Sequence, residues 1–384
     1  MINEGVQTII QIGPPSLLGE EGALDYFTSL AIFLLVMFLY SFYAQKIQLR
    51  IWINKIEKSL SRIEKLAMDG KKKVVSVIVD NGAEDKSVAR KIDEISEFFM
   101  IEPVDRDPSG VLSRLEHLLN VRKSRFASFV NSMVPRADPE TKANLEVMLE
   151  AIIALNTIYR IVRHYLILGK KTQSLIIIMQ LEMQIPLIEK IAEAYYNALD
   201  AFIKGIPIGD GIGPLSAVLL ANGNRFTELN DGSEFCKSEV DVVGRRVIVL
   251  KAKGPGGRVG KPGLAVKNIV RQLGGSIARI ITVDAALKLE GDRSGDVIEG
   301  VGAAIGDPGP EKYKIEEVAT KYGIPLDAIV VKVSAEEAVM PMKKQIADAA
   351  EVVVERIKRA VVDRVREKGT VLVVGIGNTL GIGQ

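Results

Sequence analysis

Thr370-Val371-Leu372-Val373-Val374-Gly375-Ile376-Gly377-Asn378-Thr379, at the C-terminal end of the sequence, is an apolar, β-branched run that ends in glycines. A short unbroken run of this kind reads as a buried β-strand entering a glycine turn. Ile206-Pro207-Ile208-Gly209-Asp210-Gly211-Ile212-Gly213-Pro214, just past the middle, reads as a glycine turn that opens a helix and carries one carboxylate. Joined end to end, the two stretches make a strand, a loop, an acidic residue and a helix start. The expectation is that the fold joins them in space and that Asp210 is the centre of any chemistry.

Beyond Gly205 the same texture recurs. Val247-Ile248-Val249-Leu250, Ile280-Ile281-Thr282-Val283 and Ala328-Ile329-Val330-Val331 are further strand-like runs, with helical patterns around 264–273, 312–322 and 341–367 between them. In the last of these helices Ile346, Ala350, Val353, Ile357, Val361 and Val365 keep one face. Alternating strands and helices predict an α/β domain over 205–384, with a mainly parallel sheet covered on both sides. Such sheets bind ligands at the carboxyl ends of their strands.

Those ends carry unusual residues. One strand runs into the loop Lys251–Gly263, which holds Gly256, Gly257, Arg258 and Lys261. Others run into Asp284, Gly306-Asp307-Pro308-Gly309-Pro310, Ser334-Ala335-Glu336-Glu337 and Gly377-Asn378. Each has a plain alternative: Asp210 and Asp284 as helix caps, the 251–263 loop as a surface lid. The loop is not a Walker loop, because Pro255 and Pro262 stand where that pattern needs Gly and Ser/Thr.

The N-terminal half is of another kind. Residues 1–25 contain four acids and no Lys or Arg, and 26–45 are uncharged, which is enough to cross roughly 30 Å of hydrocarbon as a helix. Lys46, Arg50, Lys55, Lys58, Arg62 and Lys65 follow. The positive-inside rule then predicts a single pass through the cell membrane, residues 1–25 outside and the main body in the cytoplasm. A buried core helix is the competing reading of 26–45. Over 46–70, Leu49, Ile53, Ile56, Leu60, Ile63 and Ala67 recur at coiled-coil spacing. This predicts either self-association or one amphipathic helix lying on its own domain or on the membrane, with Asp69-Gly70 as its stop. Residues 71–204 read as a helical module, with 74–84 either a short strand or a helix stub. His117 and His164 lack a second ligand at helical spacing, and the lone Cys236 excludes an internal disulfide and a multi-cysteine zinc site. With a net charge of +2 over 384 residues the whole chain is no polyanion binder, and no nucleic-acid partner is expected.

Gly375-Ile376-Gly377-Asn378, Asp210-Gly211-Ile212-Gly213-Pro214 and Val283-Asp284-Ala285 together resemble motifs of the hydrogenase-maturation and spore-germination peptidases. Gly306-Asp307-Pro308-Gly309-Pro310 is similar to a later loop of the germination type. The order differs, since the first strand of that family stands last here, as in a circular permutation. The metal-contacting His of the hydrogenase-maturation peptidases has no counterpart, because no His follows His164. The chain as a whole resembles an archaeal membrane-anchored family of uncharacterised function. The resemblance implies peptide-bond hydrolysis at the membrane, with Asp210 and Asp284 as an acid/base pair. Gly256, Gly257, Arg258, Lys261, Gly377 and Asn378 would bind a peptide or protein substrate. Two carboxylates held close cannot both ionise easily, so one pKa rises. The site works either without a cofactor or with a divalent cation, for which Asp307 and Glu336 are the candidate ligands. The alternative is a non-enzymatic homo-oligomeric membrane scaffold built on a degenerate peptidase-like fold. Nucleotide-phosphate binding by the basic glycine loop is a third reading.

Overall fold

The computed structural model describes residues 20–83, 85–101, 110–306 and 309–383. Among them two compact units are distinguished, one within Met1–Lys58 and His164–Gln184, the other within Ser59–Arg163 and Ile185–Gln384. Most of the segment expected outside the membrane, 1–25, lies outside the described residues.

The N-terminal half is helical: α1 (Glu20–Asp80), α2 (Asp85–Ile95), α3 (Val111–Met133), α4 (Pro139–Thr172) and α5 (Leu175–Lys204). Among the described residues α1 is the one helix long and apolar enough to cross a membrane, and none of its 18-residue apolar window is buried within the chain. That exposure is not what a core helix of a folded domain would have. The helix does not stop at Asp69-Gly70. It runs on through Lys71, Lys72 and Lys73 and takes in the stretch to Asp80, so neither the predicted stop nor the strand option holds. The reason is packing. A Cβ on Gly70 would stand 3.3 Å from both Leu155 and Leu199, so glycine there allows a close helix approach. Its propensity cost, about 1 kcal/mol, is offset by burying Val74 and Ile78 in the helical core. Ile56, Ile63 and Ala67 of the coiled-coil-like stripe are buried within the single chain. The stripe is thus used as an amphipathic face packed on its own domain.

α4 starts as its sequence dictates. Asp138 accepts the backbone N–H groups of Glu140 and Thr141, both at 2.9 Å, with Pro139 in the first turn. The Thr141 hydroxyl and these amides hold the Asp138 carboxyl below its usual range.

The C-terminal part is an α/β domain. Its elements are α6 (Ile212–Ala221), β1 (Thr227–Glu228), β2 (Phe235–Val242), β3 (Arg245–Ala252), α7 (Pro262–Gln272), β4 (Arg279–Leu287), β5 (Val297–Val301), α8 (Pro310–Tyr322), β6 (Leu326–Val333), α9 (Ala335–Val339), α10 (Lys344–Arg364) and β7 (Thr370–Gly375). The sheet order is β1-β2-β3-β7-β4-β6-β5. β3, β7, β4 and β6 run parallel, while β2, with the short β1 beyond it, and the edge strand β5 pair antiparallel. One face packs Val247, Val249, Val371, Val373 and Ile281 under α6 and α10. The other packs Ile248, Leu250, Leu372 and Val374 under α7 and α8. The central strands are therefore apolar on both sides, as parallel strands between two helical layers must be. β7 enters between β3 and β4, which precede it by many residues. Ile208 and Leu380 are buried in the same cluster as Val74, Leu149 and Leu199, so the turns flanking the sheet are rooted in the helical body.

Candidate functional site

β7 ends at Gly375, in register with Lys251 of β3 and Val283 of β4. α6 begins directly above it. Gly213 lies so close to the Ile376 and Val283 carbonyls that no side chain fits, and Gly375 lies as close to Gly213. Two glycines facing each other let the helix start sit on the strand end. The split motif is therefore joined in space.

The join is sealed by Asp210. It occupies a 3-10 turn, Gly209–Gly211, just before α6, yet its side chain caps no helix amide. Its Oδ2 instead accepts the N–H of Asn378 at 2.9 Å, 168 residues away. Gly377 adopts φ +133° and packs its Cα against the Asp210 carbonyl, an approach open only to glycine.

Asp284 does not end its strand and precedes no helix, because β4 continues to Leu287. The cap reading therefore fails for both carboxylates. Asp284 is 4% exposed. Its Oδ1 accepts the N–H of Ala285 at 2.7 Å and its Oδ2 that of Gly306 at 3.0 Å. Burial, and next the Asp210 charge beside it, push its carboxyl well above the usual range against the pull of those two amides. Burial also raises Asp210, opposed by the Asn378 amide. Two neighbouring desolvated carboxyls with raised pKa values share a proton more readily than they ionise together.

The glycine loop is fixed rather than lid-like. The Gly257 N–H donates to Asn144 Oδ1 of α4 at 2.8 Å, and Arg258 Nη2 donates to the Pro139 carbonyl at 2.6 Å. The buried Thr379 donates its N–H to the Arg258 carbonyl at 3.0 Å and lies 2.8 Å from the Gly256 carbonyl through Oγ1. Gly257, Arg258 and Asn378 line a cavity of about 460 Å³ together with Arg122, Lys123 and Glu146 from the helices. Burial raises the Glu146 carboxyl, held back chiefly by the Lys123 charge. Gly256, Gly377 and Lys261 do not line it; Lys261 stands at the N-cap of α7, its N–H donating to Ser233 O at 2.8 Å. Asn378 belongs to both places: its N–H holds Asp210 and the residue lines the cavity.

Among the described residues no group of three or more His, Cys, Asp or Glu side chains could hold a metal ion, so Glu336 does not join the two aspartates in such a site. Asp307 lies outside the described residues. The acid that matters in that region is the neighbour, Glu337. It accepts from Ser294 Oγ at 2.6 Å, from the Ser334 N–H at 2.9 Å and from Lys343 Nζ at 2.7 Å. Despite burial, these partners bring its carboxyl down to about 2. The Glu337 carbonyl also crowds Gly209, next to Asp210. Its sequence signal was the Ser334-x-x-Glu337 capping box. Asn144 had no such signal.

No curated protein matches the chain. Residues 30–205 match the family model described as Protein of unknown function (DUF1512) N-terminal domain. Residues 208–383 match that described as Domain of unknown function (DUF1512) C-terminal. With the helical half and the α/β half each matched in turn, the chain belongs to the DUF1512 family.

Proposed function

We propose that the chain is a membrane-tethered hydrolase with peptidase-like chemistry, its body on the cytoplasmic side, in which Asp210 and Asp284 share one proton. The observation that supports this reading is the pairing of two desolvated carboxyls, one inside β4 and one in the turn that opens α6, brought together from distant parts of the chain. In this reading Asp284, raised by burial and by the Asp210 charge, holds the proton. Asp210, steadied by the Asn378 N–H, is the base. It takes a proton from a water whose oxygen attacks the peptide carbonyl, and Asp284 gives its proton to the leaving amine as the C–N bond breaks. The cavity at Gly257, Arg258 and Asn378 is the natural place for the rest of a peptide.

A second reading has its own observation. Asp210 Oδ2 and both oxygens of Asp284 already accept backbone N–H groups. In that case the pair is a latch holding residues 375–383 in place, and the protein is a non-enzymatic membrane scaffold. The discriminating experiment uses the full chain in detergent, an internally quenched peptide library and light scattering. Hydrolysis with a bell-shaped pH profile, lowered about a hundredfold or more by Asp210→Asn or Asp284→Asn at unchanged assembly size, supports the enzyme. A wild type that cleaves nothing, with both variants losing thermal stability or changing assembly size, leaves the latch.

A further inference from the structure

The end of the apolar run in α1 opens into a cavity of about 1000 Å³. Its walls include Tyr43, Lys46, Ile47, Arg50 and Asn54 from α1, and Lys170 from the last turn of α4. All belong to the same compact unit. Glu57 is the one acid among the lining residues, and it is paired with Lys170. Three cations against one anion leave the cavity positive. Ile47 and Ile51 are 60% and 54% exposed beside Lys46 and Arg50, so the cations stand on an apolar wall.

We propose that this cavity holds the head group of an anionic membrane lipid, its phosphate between Lys46 and Arg50 and its glycerol and first acyl carbons on Ile47 and Ile51. The proposal rests on the tethered reading of α1. Tyr43 stands near the end of the uncharged run of helix, none of whose 18-residue apolar window is buried within the chain. At 1.5 Å per residue, Lys46 and Arg50 follow it by roughly 5 and 10 Å of helix axis. A head-group layer is roughly 5–8 Å deep on each side of the hydrocarbon, so Lys46 falls within it and Arg50, just past its outer edge, reaches back into it with its long side chain. A free phosphate has the same charge but no use for the exposed isoleucines. Basic pockets at this depth are a recurrent means of binding acidic head groups.

The test reconstitutes the full chain into nanodiscs of phosphatidylcholine, with or without phosphatidylglycerol, and adds glycerol phosphate to the chain in detergent as a separate arm. Expected are a thermal midpoint several degrees higher in the phosphatidylglycerol discs and retention of that lipid through detergent exchange. Lys46→Gln with Arg50→Gln should abolish both effects. The charge-preserving pair Lys46→Arg with Arg50→Lys should keep them, and so should Lys71→Gln with Lys72→Gln, farther along α1. Insertion into both discs with equal midpoints overturns the proposal and leaves the tether standing. Equal stabilisation by glycerol phosphate overturns it in favour of a free anion. Failure to insert into either disc overturns the tether and the lipid site together.

Discussion

Lys251 lies near the end of β3, between β2 and β7, with no exposed surface. Its ammonium donates to the Ala252 carbonyl at 3.2 Å and sits 5.1 Å from the Phe226 ring, opposite Cys236 on the neighbouring strand. Burial pulls its pKa from 10.5 to about 8 and pushes the Cys236 thiol up. Between those two lysine values Lys251 binds more protons in the unfolded chain than in the folded one, so its own contribution rises with pH by the order of 3 kcal/mol across that window and is flat below it. The raised Cys236 thiol works against it above about pH 9, so the net rise is read from pH 8 to 9. Lys251→Met should raise the thermal midpoint at pH 7 and remove the alkaline rise, both readable by calorimetry. A wild type whose stability falls from pH 8 to 9 would contradict this. The sequence pointed to Lys251 only as the start of a basic loop, because burial of a lysine depends on which strand lies opposite. Asp210 was legible for the opposite reason: a lone acid between glycines at a helix start needs little context. Its partner at the amide of Asn378 was readable only as a hope that two distant segments meet.

At the scale of elements, the parallel strands were plain because each is apolar on both faces, whereas β2 and β5 were not. Lys237, Glu239 and Asp241 interrupt β2, and Glu299 and Gly300 interrupt β5, so neither forms an unbroken apolar run. Both are held by pairing with a neighbour that the sequence does not name. α1 misled for a related reason: Asp69-Gly70 has the vocabulary of a helix stop, and only the leucines of α4 and α5 explain why a glycine is wanted inside a helix. The seating of α6 on β7 gives the sharpest element-level prediction. Gly213→Ala puts a methyl into the Ile376 and Val283 carbonyls and must lift the helix. The expected loss is about 3 kcal/mol or more, at the upper end for overpacked sites. Denaturant unfolding should show this loss, with Gly274→Ala as a control in a turn where no atom lies within 4 Å, though φ +61° adds its own small strain there. Equal stability of Gly213→Ala and wild type would mean that helix and strand end are not in contact.

For the whole molecule, helical body and α/β domain share buried contacts. Lys314 of α8 reaches Glu116 of α3 at 2.6 Å, and Leu380 lies in the helical core. Removing residues 376–384 takes away the Asn378 amide, the Thr379 anchor and Leu380 at once. Limited proteolysis should then cut both the glycine loop and the region of α4 that it holds, where the intact chain resists. Resistance equal to wild type would show that the turn after β7 is dispensable. The same topology bears on synthesis. β7 completes the gap between β3 and β4, yet it is translated after every other strand. While a ribosome is still making α10, both strands present bare edges with unpaired amides and carbonyls, the condition in which sheets join the wrong partner. A nascent chain of this protein therefore needs shelter until β7 emerges, and a stall before residue 370 should yield aggregates rather than a shorter folded domain.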